Sequence, residues 1–191
     1  MTLDAGRINK ELKEISKDVA SGVEVQLRGS GLNKLVGYVP GPKDTPYEGG
    51  RYEVDINLDE QYPFVPPKMR FVTKVWHPNI SSANGAICLD VLKDQWSPAL
   101  TIKTALLSLQ ALLSSPQPDD PQDAVVAKQY LDDRKLFERT ARHWTEAFAI
   151  PKNEDEVCMR IMEMGFSKEA AQKALKEANG DENIALEKLL G

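Results

Sequence analysis

Four short runs of alternating apolar residues, between positions 23 and 71, constrain the fold of this chain most strongly. An apolar period of two is typical of a β-strand with one buried face. Stretches rich in proline and glycine separate the runs, and proline is rare inside strands because it donates no backbone hydrogen bond. The pattern therefore predicts a four-stranded antiparallel meander. The alternating positions are Val23, Val25 and Leu27, then Leu35, Gly37 and Val39, then Tyr52, Val54, Ile56 and Leu58, and last Met69 and Phe71.

An amphipathic helix is predicted before this sheet, over residues 4–20. Its apolar residues recur at spacings of three and four, which places them on one buried face. A row of cations occupies the opposite face, and it is either a solvated surface or a surface that attracts an acidic partner. The apolar set is Ile8, Leu12, Ile15 and Val19, and the cationic set is Arg7, Lys10, Lys13 and Lys17.

Further helices are predicted after the sheet. Thr101 is a suitable cap for a helix that is apolar on nearly all sides and therefore buried. Residues 122–148 have the spacing of one or two more helices. Their predicted core positions are Val126, Tyr130, Leu136, Phe137, Trp144 and Phe148.

The composition changes after Ile150. Residues 152–191 contain no tryptophan or tyrosine and are rich in Ala, Glu and Lys. Three short helices are predicted there, with caps at Asn153, Ser167 and Asp181, and with Asn179–Gly180 ending the second helix. We therefore predict an α+β domain over 1–150, with an N-terminal helix, the meander and C-terminal helices, and a three-helix bundle over 151–191.

Composition excludes several classes of function. The net charge is −5 and there is no basic tract, which argues against a nucleic-acid partner. No apolar run approaches the roughly 18 residues of a membrane helix, and the N-terminus lacks the apolar core of a signal peptide. The two cysteines lie far apart in different predicted domains. A disulfide framework is therefore not expected, and a reducing compartment, the cytosol or the nucleus, is.

The segment 73–98 has little regular period, yet it contains Cys88, one of two cysteines, and His77, one of two histidines. Segments of this length without regular structure are often functional. A free cysteine is commonly a buried structural residue. A metal site is disfavoured because no second Cys or His lies at ligand spacing. A Cys–His hydrolase pair with His77 or His143 is a further alternative, although a structural role suits His77 better.

Six blocks of the chain, in order, resemble the ubiquitin-conjugating enzyme family. They are TPYEGGRY, YPFVPPK, WHPNI, GAICLD, WSPALTI and PQPDDPQD, and the resemblance covers about residues 4–150. Residues 152–191, with Met-Gly-Phe at 164–166 and Leu189–Leu190, resemble a ubiquitin-associated domain. The resemblance implies an acyltransferase that accepts ubiquitin as a thioester and passes it to a lysine amine. It also implies chain building on ubiquitin, in the pathway that leads to proteasomal degradation.

Catalytic roles follow from this resemblance by position. Cys88 is expected to carry the acyl group, and Asn79 either donates to the oxyanion or braces the loop. Asp120 matches the carboxylate that orients the incoming lysine, while Asp90 is a nearer carboxylate in sequence. Lys93 lies close enough to Cys88 in sequence to be a target of self-modification. The positions matched to contacts with the ubiquitin on Cys88 are Asp90, Leu107 and Gln117.

Binding surfaces are also implied by the resemblance. Gln117 stands where many members of the family have Asn, which puts its contact with ubiquitin in question. Phe64, Leu107 and Phe166 each have a structural alternative, since all three are apolar side chains that suit a core. The positions matched to contacts with the activating enzyme or a ligase are Arg7, Lys10, Lys13, Phe64, Pro98 and Ala99. The expected ubiquitin-binding patch of the second domain is Met164, Gly165, Phe166 and Leu190.

The partners implied are ubiquitin, the activating enzyme, ubiquitin ligases and protein substrates, for a chain that is a monomer. No cofactor or metal is expected, because the upstream activating enzyme uses the ATP. The main alternative is a non-catalytic adaptor that binds ubiquitin or a ligase through the same fold. The presence of Cys88 and Asn79 favours the enzyme over the adaptor. A thiol protease, which would hydrolyse ubiquitin esters without an activating enzyme, is a third alternative.

Overall fold

The computed structural model describes residues 3–151, 153–178 and 180–191, apart from the side chain of Glu154. It divides into two compact units, Met1–Ile150 and Pro151–Gly191. None of the helices in the described residues combines the length and the apolar character that a membrane span requires.

The first unit contains a four-stranded antiparallel sheet in the order β1-β2-β3-β4, so the predicted meander is confirmed. Its strands are β1 (Glu24–Leu27), β2 (Lys34–Pro40), β3 (Arg51–Asn57) and β4 (Lys68–Phe71). The register pairs Val25 with Gly37, Gly37 with Val54, and Val54 with Phe71, which forms one row across the sheet. A Cβ on Gly37 would lie 2.9 Å from Leu106 Cδ2. The missing side chain therefore lets the helix that carries Leu106 pack closely on the sheet.

Four helices accompany the sheet, and each begins at a polar cap, as helix N-termini favour. They are α1 (Ala5–Lys17), α2 (Ile102–Ser114), α3 (Ala124–Asp132) and α4 (Arg134–Trp144). Helix α2 packs on the sheet and contributes buried Leu106, Leu109 and Leu113 to the main core. A π-turn, Thr145–Ala149, follows α4. The predicted α+β fold is confirmed, and residues 122–148 form two helices.

Four predicted core positions are wrong. Leu27 ends the edge strand β1 and is 49% exposed. Helix α1 ends at Lys17, and Val19 lies in a separate 3₁₀ turn with 86% of its surface exposed. Leu136 is exposed because the period of α4 turns Phe137 and Ala141 inward. Phe148 is exposed because the π-turn, with its wider hydrogen-bond spacing, changes the phase of the helix. Thr145 and Ala149 are buried there instead. Val19 and Phe148 lie in irregular turns, where a fixed 3.6-residue period does not apply.

The second unit contains α5 (Glu154–Glu163), α6 (Lys168–Glu177) and α7 (Glu182–Leu190), as predicted. The side chains of Asn153, Ser167 and Asp181 cap these helices. Asn179 lies outside the described residues, and Gly180 has a positive φ of 80°. The core consists of small and medium apolar residues: Val157, Cys158, Ile161, Ala171, Ala174, Leu175, Ala178 and Ala185.

Candidate active site

The segment around Cys88 is fixed to the sheet by short backbone contacts. Ile80 is fully buried and forms isolated bridges with His77 and with Ile87. The Cys88 N–H donates to the Asn79 carbonyl at 2.9 Å. Gly85 has φ +75°, and a Cβ there would lie 1.9 Å from the Phe71 carbonyl oxygen. Only glycine therefore allows this loop to approach the edge of β4 so closely.

His77 is a structural residue. It is fully buried, its Nδ1 accepts a hydrogen bond from the Asn79 N–H at 3.0 Å, and its Nε2 then donates to the Leu112 carbonyl at 2.9 Å. Burial lowers the pKa of His77 to about 4, although the bond to Leu112 opposes the shift. Both ring nitrogens are occupied, so a Cys–His pair with His77 is excluded. His143 is exposed on α4. The described hydrogen bonds of the Cys88 sulfur are with Asp120 and Lys93, and none is with His143.

Asn79 acts as a brace in this structure. Only 1% of it is exposed, and its Nδ2 donates to the carbonyls of Gln117 at 2.8 Å and Asp120 at 3.0 Å. Its Oδ1 accepts from the Gln117 N–H at 2.8 Å. Both amide hydrogens are therefore used by carbonyls. The side chain clamps the turn at 117–120 against the segment that carries Cys88.

Cys88 lies between two side chains of opposite charge. Its Sγ is 3.5 Å from Asp120 Oδ2 and 3.4 Å from Lys93 Nζ. A 3₁₀ turn, Asp90–Leu92, brings Lys93 back toward the thiol, and the Asp90 carbonyl accepts from the Lys93 N–H at 2.9 Å. The thiol is half-buried, whereas Asp90, Lys93 and Asp120 are exposed. A nucleophile that is open to large partners needs this combination of access and fixed neighbours.

A second set of hydrogen bonds holds the same turn, through Asp123. The Pro78 carbonyl accepts from the N–H groups of Gln122 and Asp123, both at 2.9 Å. The Asp123 carboxylate accepts from the Ser82 N–H at 3.0 Å and the Ser82 hydroxyl at 2.6 Å, and it caps α3. Burial alone would raise the pKa of Asp123, but these hydrogen bonds outweigh it and lower the pKa. The sequence does not reveal this role, because Asp123 lies in a polar turn where a solvent-exposed carboxylate is expected.

The residues matched to partner contacts lie on several exposed segments. Phe64 is 73% exposed, so the alternative that it belongs to the core is wrong. Pro98 and Ala99 are exposed, and so are Lys10 and Lys13 on α1. Arg7 is different, because its guanidinium bonds Glu11 at 2.8 Å and the Leu100 carbonyl at 2.7 Å. Arg7 is therefore only half-exposed, unlike Lys10 and Lys13 of the same predicted row.

The positions matched to the carried ubiquitin are only partly brought together. Leu107 is half-buried. One part of its side chain packs on the main core, and the other part is accessible to a partner. Gln117 takes part in the Asn79 clamp through its backbone, while its exposed side chain reaches only the Ser115 carbonyl at 3.4 Å.

In the second unit, Met164 is 64% and Leu190 is 76% exposed. Gly165 between the helices has φ +101°, and Phe166 is half-buried against the small core.

No group of His, Cys, Asp and Glu side chains that would hold a metal ion occurs in the described part of the chain.

Comparison with known proteins decides the family. The family model described as ubiquitin-conjugating enzyme matches residues 7–145. The chain belongs to the ubiquitin-conjugating enzyme family. The resemblance read from the six sequence blocks is thereby confirmed, and every residue assigned above to the thiol site lies within the match. A second model, the UBA/TS-N domain, matches residues 154–189, which ends one residue before Leu190.

Two curated relatives align with nearly the whole chain. The chain is 55% identical over 188 residues to ubiquitin-conjugating enzyme E2 27 of Arabidopsis thaliana, with 98% of each covered. It is 49% identical over 191 residues to ubiquitin-conjugating enzyme E2 K of Homo sapiens, with 96% of each covered. The solved E2 domain of a Toxoplasma gondii ubiquitin-conjugating enzyme is 55% identical, with a TM-score of 0.72. The match covers 75% of this chain and 97% of that domain.

Proposed function

We propose that the chain accepts the C-terminal carboxyl of ubiquitin as a thioester on Cys88 and transfers it to a lysine amine. The observation that carries this proposal is the half-buried thiol between the Asp120 carboxylate and the Lys93 ammonium, on a segment braced by Asn79. The family supports the same chemistry.

Loading is a transthioesterification, in which the acyl group moves from one thiol to another. The sulfur of Cys88 attacks the carbonyl carbon of the thioester on the activating enzyme, a new C–S bond forms and the old C–S bond breaks. The departing thiolate takes up the proton that Cys88 loses, so no oxidant or reductant is needed. An ammonium 3.4 Å from the sulfur stabilises negative charge there, both on attack and when Cys88 later leaves. The activating enzyme consumes the ATP, and this chain needs no cofactor of its own.

Transfer is aminolysis of the thioester. The nitrogen of a lysine attacks the acyl carbon, the C–N bond forms, the C–S bond breaks, and the amine loses a proton as the Cys88 thiol is restored. Asp120, 3.5 Å from the sulfur, orients the amine and offsets the cost of desolvating it. Asn79 positions Asp120 by holding its carbonyl at 3.0 Å. With His77 neutral and occupied, the thioester persists until an amine is delivered.

The exposed surfaces support a set of partners. Lys10 and Lys13, with Phe64, Pro98 and Ala99, form the surface for the activating enzyme and ligases, while Asp90, Leu107 and Gln117 contact the carried ubiquitin. Met164, Gly165, Phe166 and Leu190 bind a further ubiquitin through apolar contact. Because both units are on one chain, binding raises the local concentration of ubiquitin and favours chain building. We place a monomeric enzyme in the cytosol or nucleus, on the route to proteasomal degradation.

The experiment that tests this function is thioester formation. The full chain is incubated with activating enzyme, ATP and ubiquitin, and the products are separated under non-reducing conditions. We expect an adduct that dithiothreitol removes, that is absent in Cys88→Ala, and that becomes resistant to dithiothreitol in Cys88→Ser. Ubiquitin binding without any adduct would indicate the adaptor instead, and release of ubiquitin from an ester without activating enzyme would indicate a thiol protease.

A further inference from the structure

A buried carboxylate on α1 joins the segments that carry the proposed docking surface. Glu11 is only 5% exposed, yet both of its carboxylate oxygens are occupied. Oε1 accepts from Arg7 Nε at 2.8 Å and from the Tyr62 hydroxyl at 2.8 Å. Oε2 accepts from the same hydroxyl at 2.9 Å and from the Ile102 N–H at 2.8 Å. A buried carboxylate is tolerated only with such partners, and losing one of them is costly.

The partners of Glu11 come from three separate parts of the chain. Arg7 lies on α1, Tyr62 lies in the loop between β3 and β4, and Ile102 begins α2. Arg7 adds a second link, because its Nη2 donates to the Leu100 carbonyl at 2.7 Å. We call this group, Arg7, Glu11 and Tyr62 with the backbone of Leu100 and Ile102, the Glu11 hub.

Each arm of the hub ends next to an exposed residue that the proposed function assigns to partner contacts. Phe64 follows Tyr62 by two positions, and Ala99 directly precedes Leu100. Lys10 directly precedes Glu11 on the helix. The two loops are also tied to each other, since Trp96 Nε1 donates to the Pro63 carbonyl at 2.8 Å and its ring lies 6.0 Å from that of Tyr62.

We propose that Glu11 is a positioning residue that holds α1 and the Phe64 and Pro98–Ala99 loops together as one preformed docking surface. This inference rests on the proposed function, because it assumes that these exposed residues meet the activating enzyme. A surface held in its bound shape before association loses less conformational freedom on binding and so binds more tightly. Among the hydrogen bonds described for the chain, none joins the hub to Cys88, Asn79 or Asp120. Glu11 therefore acts on association with the partner and not on the chemistry at sulfur.

The test separates association from chemistry. Initial rates of thioester formation are measured with limiting activating enzyme, ATP and ubiquitin, over a range of concentrations of the full chain. We expect Glu11→Gln to raise KM about tenfold and Tyr62→Phe to raise it about threefold, while kcat changes less than about twofold. Tyr62→Phe removes one hydroxyl and keeps the ring, so it serves even if Glu11→Gln unfolds.

Tyr52→Phe is the matched control. Tyr52 is also a buried tyrosine, but its hydroxyl bonds Thr145 Oγ1 at 2.9 Å, away from the hub. We expect its KM to equal that of the unaltered chain. Phe64→Ala is then added to Tyr62→Phe. If Tyr62 acts through the Phe64 loop, the combined rise in KM is smaller than the product of the two single effects.

Three outcomes overturn the inference. An unchanged KM in both hub variants would show that the Glu11 hub does not position the docking surface. A parallel fall of kcat in hub variants and in Tyr52→Phe indicates general loss of stability instead. Independent effects of Tyr62→Phe and Phe64→Ala show that the hub does not act through that loop. Failure of the proposed function looks different, because the unaltered chain would then form no thioester adduct at any concentration.

Discussion

The thiol site of the first unit and the apolar patch of the second unit are built in opposite ways. Around Cys88, buried polar groups such as Asn79 and His77 hold exposed reactive ones by hydrogen bonds. In the second unit, a core of alanines and a few larger apolar residues holds exposed Met164 and Leu190 without a buried polar network among the described side chains.

The difference fits the function proposed for each surface. Acyl transfer needs a carboxylate and an ammonium within a few tenths of an ångström of their working positions, and directional hydrogen bonds set such positions. Weak binding of an apolar surface depends on exposed area, and methionine adapts its shape to the partner. The first unit is therefore expected to be sensitive to single polar substitutions and to pH, whereas the second is expected to be sensitive to loss of apolar area.

The largest expected effect is that of Asn79→Ala on stability. The substitution removes the partner of the Gln117 N–H and of the Asp120 carbonyl, and it leaves the Gln117 carbonyl with only the Asp120 N–H at 3.3 Å. Each group that loses its partner in this partly buried clamp costs about 1–3 kcal/mol, so we expect the free energy of unfolding of the first unit to fall by roughly 4 kcal/mol. All three tryptophans lie in that unit, so urea titration followed by tryptophan fluorescence measures it alone.

The brace also has a kinetic signature. If Asn79 acts by placing Asp120, then adding Asp120→Ala to Asn79→Ala slows lysine transfer little further. If Asn79 donates to the oxyanion directly, the two effects multiply, which contradicts the brace.

The next effect is the dependence of stability on pH. The pKa of His77 is about 4 in the folded chain against an ordinary 6.5, so between these values the unfolded state binds a proton that the folded state excludes. Stability is full above pH 6.5 and is lost as the pH falls toward 4, by about 3 kcal/mol in total. Urea titrations of the full chain between pH 7 and 4.5 measure this loss by tryptophan fluorescence.

The control for the pH effect is His77→Gln, in which this part of the slope disappears. The second unit contains no histidine, and its unfolding, followed by the NMR signals of its own backbone amides, should show no loss of this origin. An unchanged slope in His77→Gln would refute the assignment.

A smaller effect is expected for Asp120→Asn. The neutral amide keeps the shape of the side chain but loses the charge 3.5 Å from the thiol. Single-turnover transfer of ubiquitin from Cys88 to free lysine should slow by about tenfold, while loading by the activating enzyme is retained. This is less than the roughly 10²–10⁴-fold typical of a full general base, because Asp120 is exposed and orients the amine. Asp119→Asn, an exposed neighbour, is the matched control. Equal rates in the two variants would remove Asp120 from the mechanism.

The second unit provides the comparison for binding. Met164→Ala should weaken ubiquitin binding by about fivefold, because it removes exposed apolar area without touching the small core. Phe166→Ala should weaken binding too, but Phe166 also packs on that core, so helical circular dichroism should fall as well. Binding is measured by NMR titration, and thioester loading should be unchanged in both. Met159→Ala, another exposed methionine in this unit, is the control.

The smallest effect concerns Lys93. Its amine is 3.4 Å from the thiol, so we expect it to capture a fraction of the ubiquitin on Cys88 as a stable amide. Lys93→Arg keeps the positive charge and should change loading less than about twofold. We expect mass spectrometry to detect a dithiothreitol-resistant adduct in the unaltered chain and not in this variant. Its persistence would place self-modification on another lysine.

Local patterns in the sequence determined most of the fold. Alternation of apolar residues located the strands, helical spacing and polar caps located the helices, and six blocks in order located the thiol segment. These signals depend on neighbours within a few positions, which is why they are readable in one dimension. They were wrong at Val19 and Phe148, where a turn or a change of helical phase interrupts the period, at Leu27 on the edge strand, and at Leu136, which the period of α4 turns outward.

Only the tertiary structure decided how distant groups meet. Asp120 is 32 positions from Cys88, and it reaches the thiol because Asn79 clamps the 117–120 turn. Glu11 and Arg7 resemble surface charges in an amphipathic helix, yet packing of α1 on two loops buries the carboxylate. Which charged side chain is enclosed depends on the faces that meet in three dimensions, and the periodicity of a single helix carries no record of that contact.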